Sequence, residues 1–371
     1  MEQSKLAEIV AQFAVCGTVS EIRPLGDGLI NDTFLVKTVE DVEPDYVLQR
    51  VNHKVFPDVE MLMHNIDIVT THIRKKLEAE GRGDIDRRVL KFIPLADNKE
   101  KLYCESDGNY WRMMVFIANT VTKQDVTPEN AHAAGEAFGH FQSMLADVDA
   151  DLGETIKDFH NMEFRIEQLK QACILDEAGR FDEPEVQTLL EELGKRAEEM
   201  TQAERLGREG KLPKRICHCD TKVNNMLFNE DGSEVLCVID LDTVMPSFIF
   251  SDYGDFLRTA ANTVAEDEAE FSKIAFRQDI FEAFTEGYLS SARTFLTPLE
   301  IEMLPYAVKL FPYMQSVRFL WDYLNGDNYW KVKYPTHNLV RAQNQFELVK
   351  RIEEAMPEIE AFIESQLAKQ E

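Results

Sequence analysis

Four polar residues in the second half of the chain have the types and spacing that phosphoryl transfer from ATP requires. Asp220 lies two residues after His218 and five before Asn225, and Asp240 ends an apolar segment fifteen residues after Asn225. One carboxylate can meet an acceptor hydroxyl, while an amide oxygen and a second carboxylate can hold magnesium over the phosphates. Magnesium prefers hard oxygen ligands and usually takes one or two protein carboxylates. The pattern therefore predicts a magnesium-dependent phosphoryl-transfer site.

The combination of these residues is much more informative than any one of them. A lone His-x-Asp is usually a turn or a helix cap, whereas His-x-Asp-x4-Asn arises by chance in such a chain about once in a hundred. An apolar strand that then ends in Asp lowers this frequency roughly another tenfold. A zinc site at Cys217, His218 and Cys219 is disfavoured, because no second cysteine pair lies at finger spacing.

Two classes of element must position these residues. Up to residue 117, short β-like segments alternate with turns, and a helical pattern that starts at Pro57 follows the third segment. From Pro128 onward helical spacing predominates, apart from a β-like island at 216–242 that carries the polar residues. The sequence thus predicts an α+β protein with a small antiparallel β-rich part and a larger, mainly helical part. The predicted strands of the first part are 20–25, 33–39, 46–51, 89–95, 102–106 and 110–117.

The catalytic segment resembles that of a known superfamily. HCDTKVNN at 218–225 and VIDLDTVMP at 238–246 are similar to the catalytic loop and metal-binding segment of protein-kinase-like enzymes, in the aminoglycoside phosphotransferase and choline kinase branch. Within that branch they resemble the N-acetylhexosamine 1-kinases, which make a sugar 1-phosphate from N-acetylglucosamine or N-acetylgalactosamine. The resemblance implies a bilobal fold, with a nucleotide-covering lobe at 1–117 and a helical lobe at 118–371 that holds the catalytic, metal and acceptor sites. It also implies ATP as co-substrate and Mg²⁺ as cofactor.

The resemblance assigns chemical roles to four residues. Asp220 is the expected catalytic base, which orients and deprotonates the acceptor hydroxyl. Lys222 is expected to neutralise charge that develops on the transferring phosphoryl group. Asn225 and Asp240 are the expected magnesium ligands.

Three nearby residues have supporting or open roles. His218 is expected to brace the catalytic loop from within. Asp255 is expected to start a helix and to hydrogen-bond the loop backbone. Asp242 is open between a second metal position and the acceptor sugar.

The nucleotide contacts implied by the resemblance lie before residue 118. The segment 26–31 stands where kinases place a loop over the phosphates, and Gly28 and Asn31 are its expected contact residues. The strand that leads into the helical part offers backbone groups to adenine, and the expected hinge residues are Phe116 and Ile117.

The third strand should carry a lysine for the α- and β-phosphates, but this sequence has none there. Gln49 takes the lysine position, and Arg50 follows it. Adjacent strand residues face opposite sides, so Arg50 can serve only with a bulge or a register shift. Arg50 is favoured for its charge and its anion-matching fork, with Glu60 as its ion-pair partner.

The acceptor site is expected on the helical pattern at 310–330. Aromatic side chains stack on sugar faces and charged groups bind hydroxyls, and the expected contacts are Arg318, Asp322 and Tyr329. Arg318 lies among apolar residues, where an unpaired charge is costly, so either Asp322 one turn on or a ligand is its expected partner.

Other functions remain open at this point. The acceptor can instead be choline, homoserine, methylthioribose or an aminoglycoside, although an arginine is an odd neighbour for the cation of choline. A non-catalytic nucleotide-binding protein would be indicated by loss of Asp220, Asn225 or Asp240, and all three are present.

Composition excludes several classes of partner. The 371 residues include 67 acidic and 40 basic ones, for a formal net charge of −27. This charge disfavours binding to nucleic acid or to an anionic membrane surface. No segment approaches the ~20 apolar residues of a membrane helix. The six cysteines are expected to be reduced in a cytoplasmic protein, because a chain of this length does not need disulfides. The oligomeric state is not predicted.

Overall fold

The computed structural model describes residues 3–26 and 30–368 and divides the chain into two compact units. The first unit comprises Met1–Thr122, Asp147–Lys157 and Met226–Met245. The second comprises Lys123–Ala146, Asp158–Asn225 and Pro246–Glu371. These units are defined by contacts, whereas the expected lobes at 1–117 and 118–371 are defined by function and stay a prediction.

The first unit begins with α1 (Gln3–Val10) and a five-stranded antiparallel sheet. Its strands are β1 (Val19–Pro24), β2 (Asp32–Thr38), β3 (Tyr46–Val51), β4 (Tyr103–Ser106) and β5 (Asn109–Val115), in the order β1-β2-β3-β5-β4. Two helices follow the third strand, α2 (Val59–Ala79) and the single turn α3 (Ile85–Arg88). Asp58 caps α2 by accepting a hydrogen bond from the Met61 amide at 2.9 Å. The predicted antiparallel sheet with a helix after the third strand is confirmed.

The segment 89–95 is not a strand, contrary to the prediction from its apolar residues. It forms isolated bridges at Phe92 and Leu95. Pro94 lacks an amide hydrogen and cannot continue a ladder. The apolar residues of this segment are instead part of the hydrophobic core, where Ile93 packs between the sheet and α1.

The two faces of the five-stranded sheet differ in character. Leu48 and Trp111 point into the core that the sheet forms with Leu6 and Ile9 of α1. Because side chains alternate along a strand, the residues next to Leu48 and Trp111 face the other side. This alternation decides which polar side chains of β3 and β5 can meet.

Five short strands lie outside the five-stranded sheet. They are β6 (Thr120–Val121), β7 (Arg215–Cys217), β8 (Met226–Asn229), β9 (Val235–Val238) and β10 (Met245–Ser247). In the first unit β6, β8 and β9 form a three-stranded antiparallel sheet. The chain passes into the second unit within β10.

The second unit is mainly helical, as predicted. Helix α11 (Leu304–Leu324) is buried along almost its whole length. Thr127 and Thr297 form capping boxes at the starts of two helices, each with a proline in the first turn. The helices are α4 (Pro128–Leu145), α5 (Met162–Leu175), α6 (Pro184–Met200), α7 (Gln202–Arg208), α8 (Phe250–Ala260), α9 (Gln278–Ala292), α10 (Pro298–Glu302), α11 (Leu304–Leu324) and α12 (His337–Ala368).

Helices α4 and α9 approach each other closely through glycines. A Cβ atom added to Gly135 would lie 2.1 Å from the Phe284 carbonyl oxygen, and one added to Gly287 would lie 2.0 Å from the His132 carbonyl oxygen. Both distances are far below van der Waals contact, so this approach requires glycine at both positions.

Two general features concern the whole described chain. Within residues 3–26 and 30–368, no helix combines the length and the apolar character that crossing a membrane requires. The six cysteines are unpaired thiols, and four of them are buried.

Candidate active site

The loop between β7 and β8 brings three expected residues together in the second unit. Lys222 Nζ forms an ion pair with the Asp220 carboxylate at 2.6 Å. The Asn225 side-chain amide donates to the Asp220 carbonyl oxygen at 2.8 Å and to its carboxylate at 3.3 Å. Because the amide nitrogen of Asn225 is used in this way, its amide oxygen is the atom that can bind a cation.

Two opposing effects set the charge state of Asp220. Burial raises the pKa of its carboxyl, but attraction to Lys222 and their hydrogen bond outweigh burial, so the pKa of Asp220 is lowered. Burial likewise acts to lower the pKa of Lys222, and its pairing with Asp220 raises it. Both groups are therefore charged at neutral pH.

The backbone of the catalytic loop is held by Asp252 of α8. The fully buried carboxylate accepts hydrogen bonds from the amides of His218 and Cys219 at 3.0 and 2.8 Å, and from the Gln142 side chain at 2.8 Å. These three donors compensate the burial of its charge. Cys219 has a φ of 63°, a left-handed conformation that this anchoring maintains.

The resemblance assigns this bracing role to Asp255, and the structure corrects the assignment to Asp252. Asp255 instead pairs with Arg258 Nε at 3.0 Å. Burial raises the pKa of Asp255, Arg258 opposes this, and the nearby Asp220 carboxylate raises it further. Asp255 thus lies close to the catalytic pair rather than under the loop backbone. The sequence has two aspartates three residues apart and no signal that tells which one faces the loop.

His218 lies beneath the loop in an aromatic setting. It is fully buried, and its ring meets the edges of Phe138 and Phe141 at centroid distances of 5.7 and 6.1 Å. Its Nδ1 atom accepts a hydrogen bond from the Asp220 amide at 3.3 Å. This placement suits the supporting role that the resemblance implies.

Arg318 of α11 lies between two aromatic rings. The guanidinium carbon is 5.1 Å from the Phe159 ring centroid and 5.2 Å from that of Trp330, and NH1 donates to Gln315 Oε1 at 3.1 Å. Burial lowers the pKa of Arg318, Tyr329 opposes this, and the positive charge of Arg258 lowers it further.

Other cations lie near Arg318. Burial lowers the pKa of Arg165 to about 9, and Arg318 contributes to that shift. Arg165 donates to the Phe159 carbonyl oxygen and to Gln168 Oε1, which are both neutral acceptors. Carboxylates also act on these arginines, Asp255 on Arg318 and Asp158 on Arg165.

Asp322 does not pair with Arg318. Its buried carboxylate accepts hydrogen bonds from the amides of Asn328, Tyr329 and Trp330 at 3.0, 2.8 and 3.0 Å, and so it organises the loop that follows α11. The Tyr329 side chain on that loop is 52% exposed and remains accessible to a ligand. The structure therefore places Asp322 in loop formation, Arg318 between aromatic rings and Tyr329 at the surface.

In the first unit, Asp240 and Asp242 differ sharply. Asp240 is exposed, has a φ of 60° and precedes the turn Leu241–Thr243. Asp242 is buried, forms an ion pair with Arg112 NH1 at 2.5 Å and accepts a hydrogen bond from the Asn31 side chain at 2.7 Å. Of the two carboxylates, that of Asp240 is the accessible one.

Arg50 of the third strand does not lie on the side of the sheet where a phosphate-binding cation was predicted. The pairing of β3 with β2 and with β5 is continuous, so Arg50 has neither a bulge nor a register shift. Arg50 pairs with Asp32 and donates to Asn109 on the face of the sheet opposite Gln49. Gln49 Oε1 accepts from Arg112 Nε and NH2 at 3.0 and 2.9 Å. Sequence spacing missed Arg112, because its link to β3 is cross-strand pairing.

The other residues expected to contact the nucleotide lie in different settings in the structure. Gly28 lies outside the described residues. The Asn31 side chain accepts a hydrogen bond from the Asn52 amide at 2.9 Å in addition to binding Asp242. Glu60 is exposed at the start of α2, and Arg50 pairs elsewhere. At the hinge, the Phe116 amide donates to the Asp45 carbonyl and the Ile117 carbonyl accepts from Thr120.

The donor set fits magnesium better than zinc. Across the described ranges, no group of three or more His, Cys, Asp and Glu side chains could hold a metal ion. Asn225 of the second unit offers an amide oxygen, and Asp240 of the first unit offers an exposed carboxylate. Each is a hard oxygen donor of the kind that magnesium prefers.

The chain is similar to known proteins both in sequence and in fold. Residues 21–289 match the sequence model of the phosphotransferase enzyme family. An aminoglycoside phosphotransferase from Alicyclobacillus acidocaldarius is 12% identical with a TM-score of 0.63, over 97% of this chain and 96% of that one. An amicoumacin kinase in complex with AMP-PNP and Ca²⁺ is 16% identical with a TM-score of 0.59, over 95% and 94%. A choline/ethanolamine kinase family protein from Mesorhizobium loti is also 16% identical with a TM-score of 0.59, over 98% and 99%. At these identities the similarity shows a shared fold.

Proposed function

The chain belongs to the phosphotransferase enzyme family and is a phosphotransferase with an alcohol group as acceptor, and from this premise we propose that it phosphorylates the anomeric hydroxyl of an N-acetylhexosamine with ATP. The product is the sugar 1-phosphate. The observation that carries the proposal is the arrangement of Asp220, with its ion pair to Lys222 and its hydrogen bond from Asn225.

Asp220 is the base of the proposed reaction. Its lowered pKa keeps the carboxylate ionised at neutral pH, as a base must be. The acceptor oxygen forms a bond to the γ-phosphorus while the bond to the β,γ-bridging oxygen breaks, ADP leaves, and the hydroxyl proton passes to Asp220. Lys222, which pairs with Asp220, offsets negative charge on the phosphoryl group. The role of Lys222 rests on its pairing with the base.

Asn225 and Asp240 are the proposed magnesium ligands. The metal, when bound, neutralises charge on the β- and γ-phosphates. The Asn225 amide oxygen and the exposed Asp240 carboxylate provide the donors. The loop that contains Gly28 and the hinge at Phe116 and Ile117 are the proposed sites for the phosphates and adenine.

The acceptor is proposed to bind at Arg318 and Tyr329. Phe159 and Trp330 offer flat faces for a sugar ring, and the Arg318 guanidinium donates to hydroxyl or amide oxygens. The positive charge of Arg318, with Arg165 near it, disfavours a cationic acceptor such as choline or an aminoglycoside. A neutral amino sugar whose nitrogen is acetylated meets this requirement.

The test is magnesium-dependent ATP consumption against a panel of acceptors. The panel contains N-acetylglucosamine, N-acetylgalactosamine, glucose, choline, homoserine, methylthioribose and kanamycin, and phosphorus NMR identifies the phosphorylated position. We expect turnover with an N-acetylhexosamine and phosphate on the anomeric oxygen. Asp220→Asn should lower kcat by about 100- to 10,000-fold, whereas the exposed control Asp182→Asn should have no effect. Turnover with another panel member alone would overturn the proposed acceptor.

A further inference from the structure

Arg112 is buried in a polar network that joins four parts of the first unit. Its guanidinium donates to Gln49 on the neighbouring strand and pairs with Asp242, which also accepts from Asn31. We propose that Arg112 is a positioning residue for the metal-binding turn that begins at Asp240. The proposal rests on the proposed function, because it takes Asp240 as a magnesium ligand.

The network uses both carboxylate oxygens of Asp242. One oxygen meets Arg112 at 2.5 Å, and the other accepts from Asn31 at 2.7 Å. A buried carboxylate held in this way is not available to a metal ion, which settles the open role of Asp242 in favour of support. Asp240, two residues earlier, is left as the ligand of the turn.

The turn is held from a second side by α2. The Asn65 side-chain amide donates to the Val244 carbonyl oxygen at 2.9 Å and to that of Gly153 at 2.7 Å. The residues between Asp240 and Val244 are thus tied to the sheet through Arg112 and to α2 through Asn65. These ties fix the residues that follow Asp240, whose own backbone is left-handed with a φ of 60°.

Arg112 also places a cation where the sequence lacks one. It lies directly opposite Gln49 in the β3–β5 register, and Gln49 occupies the position at which the resemblance calls for a lysine. The positive charge is therefore supplied by the adjacent strand, and it acts on the protein's own carboxylate. Outer-shell contacts of this kind orient metal ligands and tune metal affinity.

The test measures metal binding without turnover. Mn²⁺ is titrated into the protein with the ATP analogue AMP-PNP, and bound ion is counted by electron paramagnetic resonance. The main variant is the double change Arg112→Met with Asp242→Asn, because it leaves no unpaired buried charge that could prevent folding. We expect its Mn²⁺ affinity to fall about 10- to 100-fold. Arg112→Lys, which keeps the charge opposite Asp242, should fall less than the double variant.

Controls separate positioning from general damage. Arg74→Met removes an arginine that pairs with Asp86 in the same unit, and it should bind Mn²⁺ as the wild type does. Wild-type affinity in a folded double variant, or an equal loss in Arg112→Lys, would overturn the inference, as would absence of Mn²⁺ binding by the wild type. If no N-acetylhexosamine is phosphorylated while the variants weaken Mn²⁺ binding as expected, the proposed function fails and this inference stands.

Discussion

Among single residues, Lys222 has the most direct influence on the proposed catalytic base. It lies 2.6 Å from the Asp220 carboxylate and lowers the pKa of this carboxyl group although burial would raise it. Without the ammonium group, burial remains as the larger influence, and the pKa of Asp220 rises.

We therefore predict that Lys222→Met moves the acid limb of the kcat profile to higher pH. A base must be deprotonated to act, so a raised pKa removes activity at pH values where the wild type still works. Steady-state rates measured across the acid range check this shift. Lys211→Met, which removes a lysine paired with Glu209 on the surface, should leave the acid limb unchanged. An unshifted limb in Lys222→Met would show that another group sets the protonation of the base.

How far the sequence predicts the site depends on whether partners are close along the chain. Asp220, Lys222 and Asn225 lie within six residues, and the structure brings these three together. Arg112 was not predicted, because its partner Gln49 is 63 residues away and is set by strand register. Gln142 donates a hydrogen bond to Asp252, which is 110 residues away, and no local sequence pattern predicts that contact.

At the scale of elements, the approach of α4 to α9 depends on missing side chains. We predict that Gly287→Ala destabilises the protein by about 1–3 kcal/mol, because its methyl group would overlap the His132 carbonyl oxygen. Gly194→Ala on α6 is the matched control, since a Cβ there meets nothing within 4 Å. It should stabilise the protein by up to about 1 kcal/mol. Urea unfolding of both variants measures the difference, and equal free energies of unfolding would contradict this account.

Strands could be predicted from the sequence where the local residue pattern agrees with the way the segment packs in the fold. The β-branched and aromatic residues at 46–51 predicted β3 with its observed bounds, and one face of that strand is core. The prediction of a strand at 89–95 was wrong, because these apolar residues are buried without pairing as a strand. Short segments such as β6 have two residues and are defined by their partners in the sheet rather than by their own sequence.

For the molecule as a whole, the net charge of −27 is the dominant electrostatic feature. Self-repulsion of this size opposes folding, and salt screens it over about 10 Å at 0.1 M. We predict that the melting temperature rises by roughly 2–5 °C as sodium chloride increases from low concentration to about 0.3 M. Calorimetry at constant pH measures the change. A fall instead would mean that attractive pairs such as Arg215 with Glu300 dominate.

The interleaving of the two units along the chain has a consequence for biosynthesis. Asp242 is 130 residues downstream of Arg112, with which it pairs, and ribosomes add about 5–20 residues per second. The nascent first sheet, whose last strand ends at Val115, must therefore wait on the order of ten seconds before the carboxylate that completes its polar network is translated. During that interval Arg112 has no Asp242 to pair with, and the emerging chain exposes a partly finished unit. Rare codons between these positions would prolong this exposed interval, whereas the same codons after residue 245 would not.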